Sequence, residues 1–269
     1  MSIYVNLPTP WRSTLAHADR PLIGMWICTG SPLVAEICAG ARLDWLLIDA
    51  EHNPNGLTDI LAQLQAVAAY PATALVRPPS DDRITIKQYL DIGVQNLLLP
   101  MIETPQQAAE AVNSMRYPPG GSRGVGSALA RASRWNRVSD YLLEAETHIS
   151  LTVQVESVRA VENSRRIAEV DGVDAVFVGP SDLAASMGLL GQQDHPAVQK
   201  LVRSVISDVR AARKPVGVNA FNPESATVYL DAGADFILIG ADVGLLARGS
   251  EALASRYINQ TATSLGSSG

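Results

Sequence analysis

Leu46-Leu47-Ile48-Asp49-Ala50-Glu51-His52 opens as an apolar run and closes with two carboxylates and an imidazole. A run of this kind suits a strand buried on both faces, and its end sets polar chemistry at one edge of a sheet. The same order recurs in Leu75-Val76-Arg77, in Leu151-Thr152-Val153-Gln154-Val155-Glu156 and in Ala175-Val176-Phe177-Val178-Gly179-Pro180-Ser181-Asp182. In a barrel of parallel strands every carboxyl end points to one face, so these groups can share a pocket although they lie far apart in the chain.

Working outward from that stretch, apolar runs bounded by turn signals fall near 22–27, 44–49, 73–77, 96–100, 151–156, 174–179, 216–220 and 235–240, with helical periodicity between most of them. Near-continuous apolarity favours covered parallel strands, and hence a (β/α)8 TIM barrel over a doubly wound sheet. A degenerate half-repeat supports this. Gly40, Gly93, Gly172 and Gly233 each precede a strand, placed to end a helix in the left-handed conformation. The 269 residues suit one barrel domain over 1–258 with an N-terminal helical segment, and the small, polar stretch 259–269 reads as a disordered tail.

A hydrophobic fraction of 47% and a mean hydropathy of +0.09 fit a large core. No apolar run approaches the roughly 20 residues that span a bilayer, and Met1 to Arg20 lacks the pattern of a secretory signal. A soluble, cytoplasmic protein is expected. The net charge of −6 and the scattered basic residues argue against nucleic acid and give no reason to expect a membrane partner. Cys28 and Cys38 sit in apolar surroundings and read as buried thiols.

The connection 101–150 is too long for a plain crossover. It carries Tyr117-Pro118-Pro119-Gly120-Gly121-Ser122-Arg123-Gly124-Val125-Gly126 and then Arg131, Arg134 and Arg137. Long ordered loops on the strand-end face usually serve function, so these arginines are expected at a subunit contact or a charged substrate end. Gly124-Val125-Gly126 follows a turn rather than a strand and lacks the third glycine of a dinucleotide fingerprint.

Glu156 and Asp182 are the candidate metal ligands, because two hard carboxylates with waters and a chelating substrate satisfy Mg²⁺ or Mn²⁺. Their competing role is helix capping, Asp182 for a helix beginning at Leu183. His52, beside Asp49, Glu51 and Asn53, is the candidate general base. Arg77, stiffened by Pro78-Pro79, suits a substrate carboxylate or an enolate oxygen, with a structural ion pair as the alternative. His17, His148 and His195 have no clustered partners. A Schiff-base aldolase needs an amine at the catalytic face. Lys87 and Lys200 lie in helical patterns and Lys214 precedes a strand, so carbonyl chemistry here would require a metal as electron sink.

The residues from about Pro21 to Tyr257 resemble the class II, metal-dependent pyruvate aldolases of the 4-hydroxy-2-oxoheptanedioate type. The resemblance rests on Asp44 to His52, Val76-Arg77-Pro78, Arg116 to Pro119, Arg123 to Asn136, Gln154-Val155-Glu156 and Val178 to Leu183. It implies a TIM barrel assembling as a homo-hexamer, with Glu156 and Asp182 holding Mg²⁺, Mn²⁺ or Co²⁺. It also implies that Gln154 and the backbone of Ser181 contact the pyruvyl group, Arg77 stabilises the transition state and His52 is the base. Either Asp49 or Asp91 then raises the basicity of His52. The implied reaction cleaves a 4-hydroxy-2-oxo acid to pyruvate and an aldehyde, succinic semialdehyde from the heptanedioate. Val216-Gly217-Val218-Asn219 is more polar than expected of close relatives. Aldolases acting on 2-keto-3-deoxy-rhamnonate or 5-keto-4-deoxy-glucarate are therefore the near alternative, with an acyl-CoA lyase or a non-catalytic binding barrel further off.

Overall fold

The computed structural model describes residues 3–266, with side chains through Ile258. Eight parallel strands close a barrel in chain order, the last pairing with the first. They are β1 (Leu22–Ile27), β2 (Trp45–Asp49), β3 (Thr73–Arg77), β4 (Asn96–Leu99), β5 (Ser150–Val155), β6 (Ala175–Val178), β7 (Val216–Asn219) and β8 (Phe236–Ala241). The helices are α1 (Trp11–Ala16), α2 (Pro32–Ala39), α3 (Leu57–Val67), α4 (Arg83–Asp91), α5 (Pro105–Met115), α6 (Tyr141–His148), α7 (Val158–Ala168), α8 (Pro180–Ser186), α9 (Pro196–Ala211), α10 (Pro223–Asp231) and α11 (Asp242–Gly266). The TIM barrel read from the apolar runs is the observed fold. No helix among the described residues is long and apolar enough to cross a membrane.

Inward-facing residues of alternate strands fill the barrel as a packed core. Trp45, Phe177 and Phe236 pack edge-on or stacked at centroid distances of 5.6–6.2 Å. Two glycines make room for these rings. A Cβ on Gly24 would lie 2.4 Å from Trp45, and one on Gly217 would lie 2.1 Å from Phe236. The N-terminal end is plugged by α1. Trp11 is fully buried against Trp45 and Phe236, each at 5.4 Å, and its amide donates to Asn96 Oδ1 at 2.7 Å. A second apolar layer, including Ile48, Leu97, Val153 and Val176, joins the outer strand faces to the helices.

Strand starts are pinned by a repeated device. Asp44, Asp174 and Asp235 accept the backbone N–H of Ile23, Leu151 and Val216 at 2.8, 2.8 and 2.9 Å. The turns before β4, β6 and β8 use Gly93, Gly172 and Gly233 at φ of 93°, 92° and 99°. Gly40 departs from the expected pattern. It caps α2 in the right-handed region at φ −74°, and Arg42 takes the left-handed turn at φ 63°.

Cys28 and Cys38 are buried free thiols. Burial, with Asp242 and Asp49 nearby, pushes the Cys28 thiol up to about 12, so it is no nucleophile at neutral pH. The helix α11 continues through Gly266 and so includes residues 259–266 of the segment expected to lack order; residues 267–269 lie outside the described residues. It rests on β1 and β8 and leaves Leu245, Leu246 and Leu253 more than half exposed.

Candidate active site

Strand register sets the first contact of the site. β2 and β3 pair with Asp49 opposite Arg77. Arg77 Nε donates to Asp49 Oδ1 at 2.7 Å, and Nη1 lies 2.8 Å from Glu51 Oε2 as a charge contact without hydrogen-bond alignment. The face of the guanidinium lies over the Trp26 ring of β1, 4.2 Å from its centroid. Arg77 and Asp49 are both buried. A cation held by two carboxylates and a ring in a dry setting is a fixed electrostatic element. Glu51 itself is pushed up by burial, against the pull of Arg77.

β5 and β6 deliver the second half. Their register sets Val155 against Val178, which brings Gln154 and Glu156 beside Gly179. Glu156 accepts the Met101 N–H at 2.7 Å on Oε1, and Gln154 Nε2 donates to its Oε2. Met101 holds this contact with φ 55°, a left-handed conformation that costs a non-glycine residue about 1–2 kcal/mol. Burial pushes the Glu156 carboxyl up to about 7, and the negative charges of Asp182 and Glu51 add to the rise. Gly179 is the cradle, because a Cβ there would meet Glu156 Oε2 at 3.0 Å and Gln154 Nε2 at 3.1 Å. Neither carboxylate is a helix N-cap. Ser157 caps α7, and Asp182 sits inside the first turn of α8 behind Gly179.

Two adjoining hollows at the strand ends hold about 530 and 310 Å³ and share His52 and Asp182. Glu51, Glu156 and Asp182 line the first, together with Asp81 and Glu103. Arg77, Gln154, Ser181, Trp26 and Asn219 line the second. Among the described residues no set of three His, Cys, Asp or Glu groups forms a closed metal cage. Two carboxylates crowded by a third, beside the orphaned buried Oε1 of Gln154, nevertheless match a hard cation that keeps waters and takes further oxygens from a substrate.

The structure thus gathers Asp49, His52, Arg77, Gln154, Glu156, Ser181 and Asp182 at one mouth. His52 stands exposed on its rim, and its Nε2 is 3.7 Å from Glu51 Oε2. Asp49 is engaged with Arg77, Asn53 and the Glu51 amide. Asp91 ends α4, at the opposite end of the barrel, and pairs with the fully buried Arg123 at 2.8 Å. Within this chain, the carboxylate beside His52 is therefore Glu51.

The arginine-rich segment is also displaced from its expected face. It follows α5, which returns the chain to the N-terminal end, so residues 116–140 lie opposite the mouth. There Arg131 and Arg134 border a hollow of about 950 Å³ with strand-start residues such as Asp44, Thr73 and Asn96. Trp26, Asp81 and Glu103 were not singled out by sequence. Trp26 had a usable signal, since it stands near the end of an apolar strand.

A family model described as HpcH/HpaI aldolase/citrate lyase matches residues 22–249. The 4-hydroxy-2-oxo-heptane-1,7-dioate aldolase of Salmonella arizonae is 51% identical over 240 residues, covering 89% of this chain and 91% of that protein. An HpcH/HpaI aldolase/citrate lyase family protein from Burkholderia cenocepacia J2315 superposes with a TM-score of 0.87 at 40% identity, over 91% of this chain and 97% of the other. The citrate lyase beta subunit of M. tuberculosis, solved with oxaloacetate and magnesium, shares the fold at a TM-score of 0.56 and 15% identity, over 82% and 92% of the two chains. With its barrel matched almost end to end and half its residues shared with such a relative, this enzyme belongs to the HpcH/HpaI aldolase/citrate lyase family.

Proposed function

We propose that the protein is a class II aldolase that cleaves 4-hydroxy-2-oxo acids, with 4-hydroxy-2-oxo-heptane-1,7-dioate as substrate and pyruvate and succinic semialdehyde as products. The observation that carries this reading is the placement of the fixed Arg77 and the Glu156/Asp182 pair in one mouth. Glu156 and Asp182 would hold Mg²⁺, Mn²⁺ or Co²⁺. Such an ion, when bound, acts as a Lewis acid toward the 2-oxo group and the charge that develops on it. Gln154 and the first-turn amide at Ser181, which has no helical acceptor, orient the pyruvyl carboxylate.

His52 removes the proton of the 4-hydroxyl, with Glu51 Oε2 3.7 Å from its Nε2. The C3–C4 bond then breaks, the C4 oxygen becomes the aldehyde carbonyl, and the bonding electrons pass into pyruvate enolate. The Arg77 guanidinium lies ready for that negative charge without reorganising, since Asp49, Glu51 and Trp26 already fix it. A proton returned to C3 gives pyruvate.

For the proposed homo-hexamer, exposed Leu245, Leu246 and Leu253 on α11, with Val125 and Leu129 in the long connection, support contact between copies of the chain. The two unpaired buried thiols accord with a cytoplasmic setting. A polar Asn219 in the mouth favours a second reading, aldolase action on 2-keto-3-deoxy-rhamnonate or 5-keto-4-deoxy-glucarate. The test is pyruvate release, coupled to lactate dehydrogenase, after EDTA treatment and after addition of Mg²⁺, Mn²⁺ or Co²⁺. Metal-restored turnover is expected. Folded protein that releases no pyruvate from any of these acids with any of these metals would overturn the reading.

A further inference from the structure

Asn219 ends β7 at the mouth, half-buried. Its Oδ1 accepts from Trp26 Nε1 at 3.0 Å. Chemistry fixes which way this amide faces, because an indole nitrogen only donates and must meet the oxygen. The –NH₂ group therefore turns away from Trp26. No hydrogen-bond partner is present for it among the described residues, and the side chain borders the hollow of about 310 Å³ that also contains His52, Arg77 and Ser181.

The charge across the two adjoining hollows is one-sided. Asp49, Glu51, Asp81, Glu103, Glu156 and Asp182 line the two hollows, against Arg77 and His52. Arg77 is already engaged by Asp49 and Glu51. An aldehyde half seated against β7 would meet a neutral donor among carboxylates of this chain. A hydroxyl can accept from that donor, whereas an alkyl group leaves it unpaired and dry, which is the costlier case.

We propose that Asn219 is a specificity-determining residue, whose Nδ2–H donates to a hydroxyl oxygen on the carbon next to the aldehyde carbon and so selects neutral hydroxyaldehydes over alkyl aldehydes of the same length. This rests on the aldolase reading above and, for the acceptor, favours its second form over succinic semialdehyde, an alkyl aldehyde that carries a carboxylate. Asn219 has a second contact, since its Oδ1 holds the Trp26 ring on which Arg77 lies. Two variants separate the contacts. Asn219→Asp keeps an oxygen for Trp26 and removes the donor, while Asn219→Leu removes both.

The experiment is condensation of pyruvate with glycolaldehyde and with propanal, which differ by a hydroxyl in place of a methyl, using Mn²⁺-loaded enzyme. Exchange of the pyruvate C3 protons for deuterium, without aldehyde, is followed in parallel. The native enzyme should favour glycolaldehyde in kcat/KM, and that preference should fall about 5- to 10-fold in both variants, the worth of one hydrogen bond. Because both aldehydes react with the same pyruvate half, the ratio of their kcat/KM values cancels any change there, and the exchange rate reports that change separately. An unchanged preference in both variants, or a preference that falls only in step with exchange, overturns the inference. Native enzyme that shows neither condensation nor exchange defeats the aldolase reading itself.

Discussion

Replacing Gly179 with alanine tests the position of Glu156 without touching a carboxylate. Gly179 has φ −100° and ψ 91°, which alanine also adopts, so the effect comes from the added methyl alone. That methyl would lie 3.0 Å from Glu156 Oε2 and 3.2 Å from Glu156 Cβ, where ordinary contact begins at 3.4 Å. The carboxylate must therefore yield by about 0.4 Å, and it cannot simply swing, because Met101 N–H grips its other oxygen at 2.7 Å. Metal–ligand distances tolerate about 0.2 Å. Disturbing what orients a ligand typically weakens binding about 10- to 100-fold, or about 1.4–2.8 kcal/mol. Stability should hardly move, since the about 0.4–1 kcal/mol gained from a stiffer unfolded chain offsets much of the strain. Calorimetric Mn²⁺ titration of metal-free protein at mildly alkaline pH, where Glu156 is ionised, measures the first quantity. Thermal unfolding without metal measures the second. Native Mn²⁺ affinity in Gly179→Ala would refute the reasoning. A joint fall of affinity and melting temperature would mean that the barrel, rather than the ligand, had been disturbed.

Three further outcomes follow from the same geometry. Arg77→Lys places one ammonium where a planar fork meets Asp49, Glu51 and the Trp26 face, so pyruvate release should fall about 100- to 1,000-fold while Mn²⁺ affinity holds; near-native turnover would remove Arg77 from the chemistry. Gly217→Ala drives a methyl to 2.1 Å from Phe236 Cε2. It should cost at least about 1–3 kcal/mol in denaturant unfolding, and unchanged stability would contradict the packing described for the barrel interior. Asp82 caps α4 through the amides of Ile84 and Thr85, and hydrogen bonds led by the Ser80 hydroxyl hold its carboxyl down at about 2. Its folded value lies below the unfolded one, so the stabilisation is complete above about pH 4 and fades as pH falls through about 2. Asp82→Ala should lose about 1 kcal/mol at neutral pH. Native and variant stabilities measured from pH 7 downward should therefore converge in acid, and a constant gap would show that the cap is indifferent to charge.

What could be read from the chain, and what could not, follows from how a βα unit alternates ends. Strands are legible because both of their faces are buried. Val176-Phe177-Val178 and Phe236-Ile237-Leu238 admit no polar side chain, so composition alone marks them, and the observed limits of β6 and β8 lie within a residue or two of the expected ones. Residues at strand ends then converge by topology, which groups Arg77, Gln154, Glu156 and Asp182 from the sequence alone. Pairwise partners are a matter of register, which composition does not encode. His52 has Asp49, Glu51 and Asn53 as near neighbours in sequence, yet the β2–β3 register gives Asp49 to Arg77 and leaves Glu51 beside the imidazole.

Two groups lie at the far end of this chain's barrel for one cause. Asp91 is the last residue of a helix, and the arginine-rich segment follows a helix rather than a strand. A helix in this fold returns the chain to the N-terminal end of the barrel, so both belong opposite the mouth, however reactive their residue types look. Residue type told what each group could do, while its place in the βα unit decided where it would do it. Asp91 satisfies every chemical requirement for a partner of His52 and is nonetheless bound to Arg123 at the far end of α4. Trp26, which has no acid–base chemistry, lies near a strand end and for that reason carries Arg77. In this barrel, position at a strand's carboxyl end is the stronger predictor of membership in the site, and chemistry sorts roles only among the residues that position has already selected.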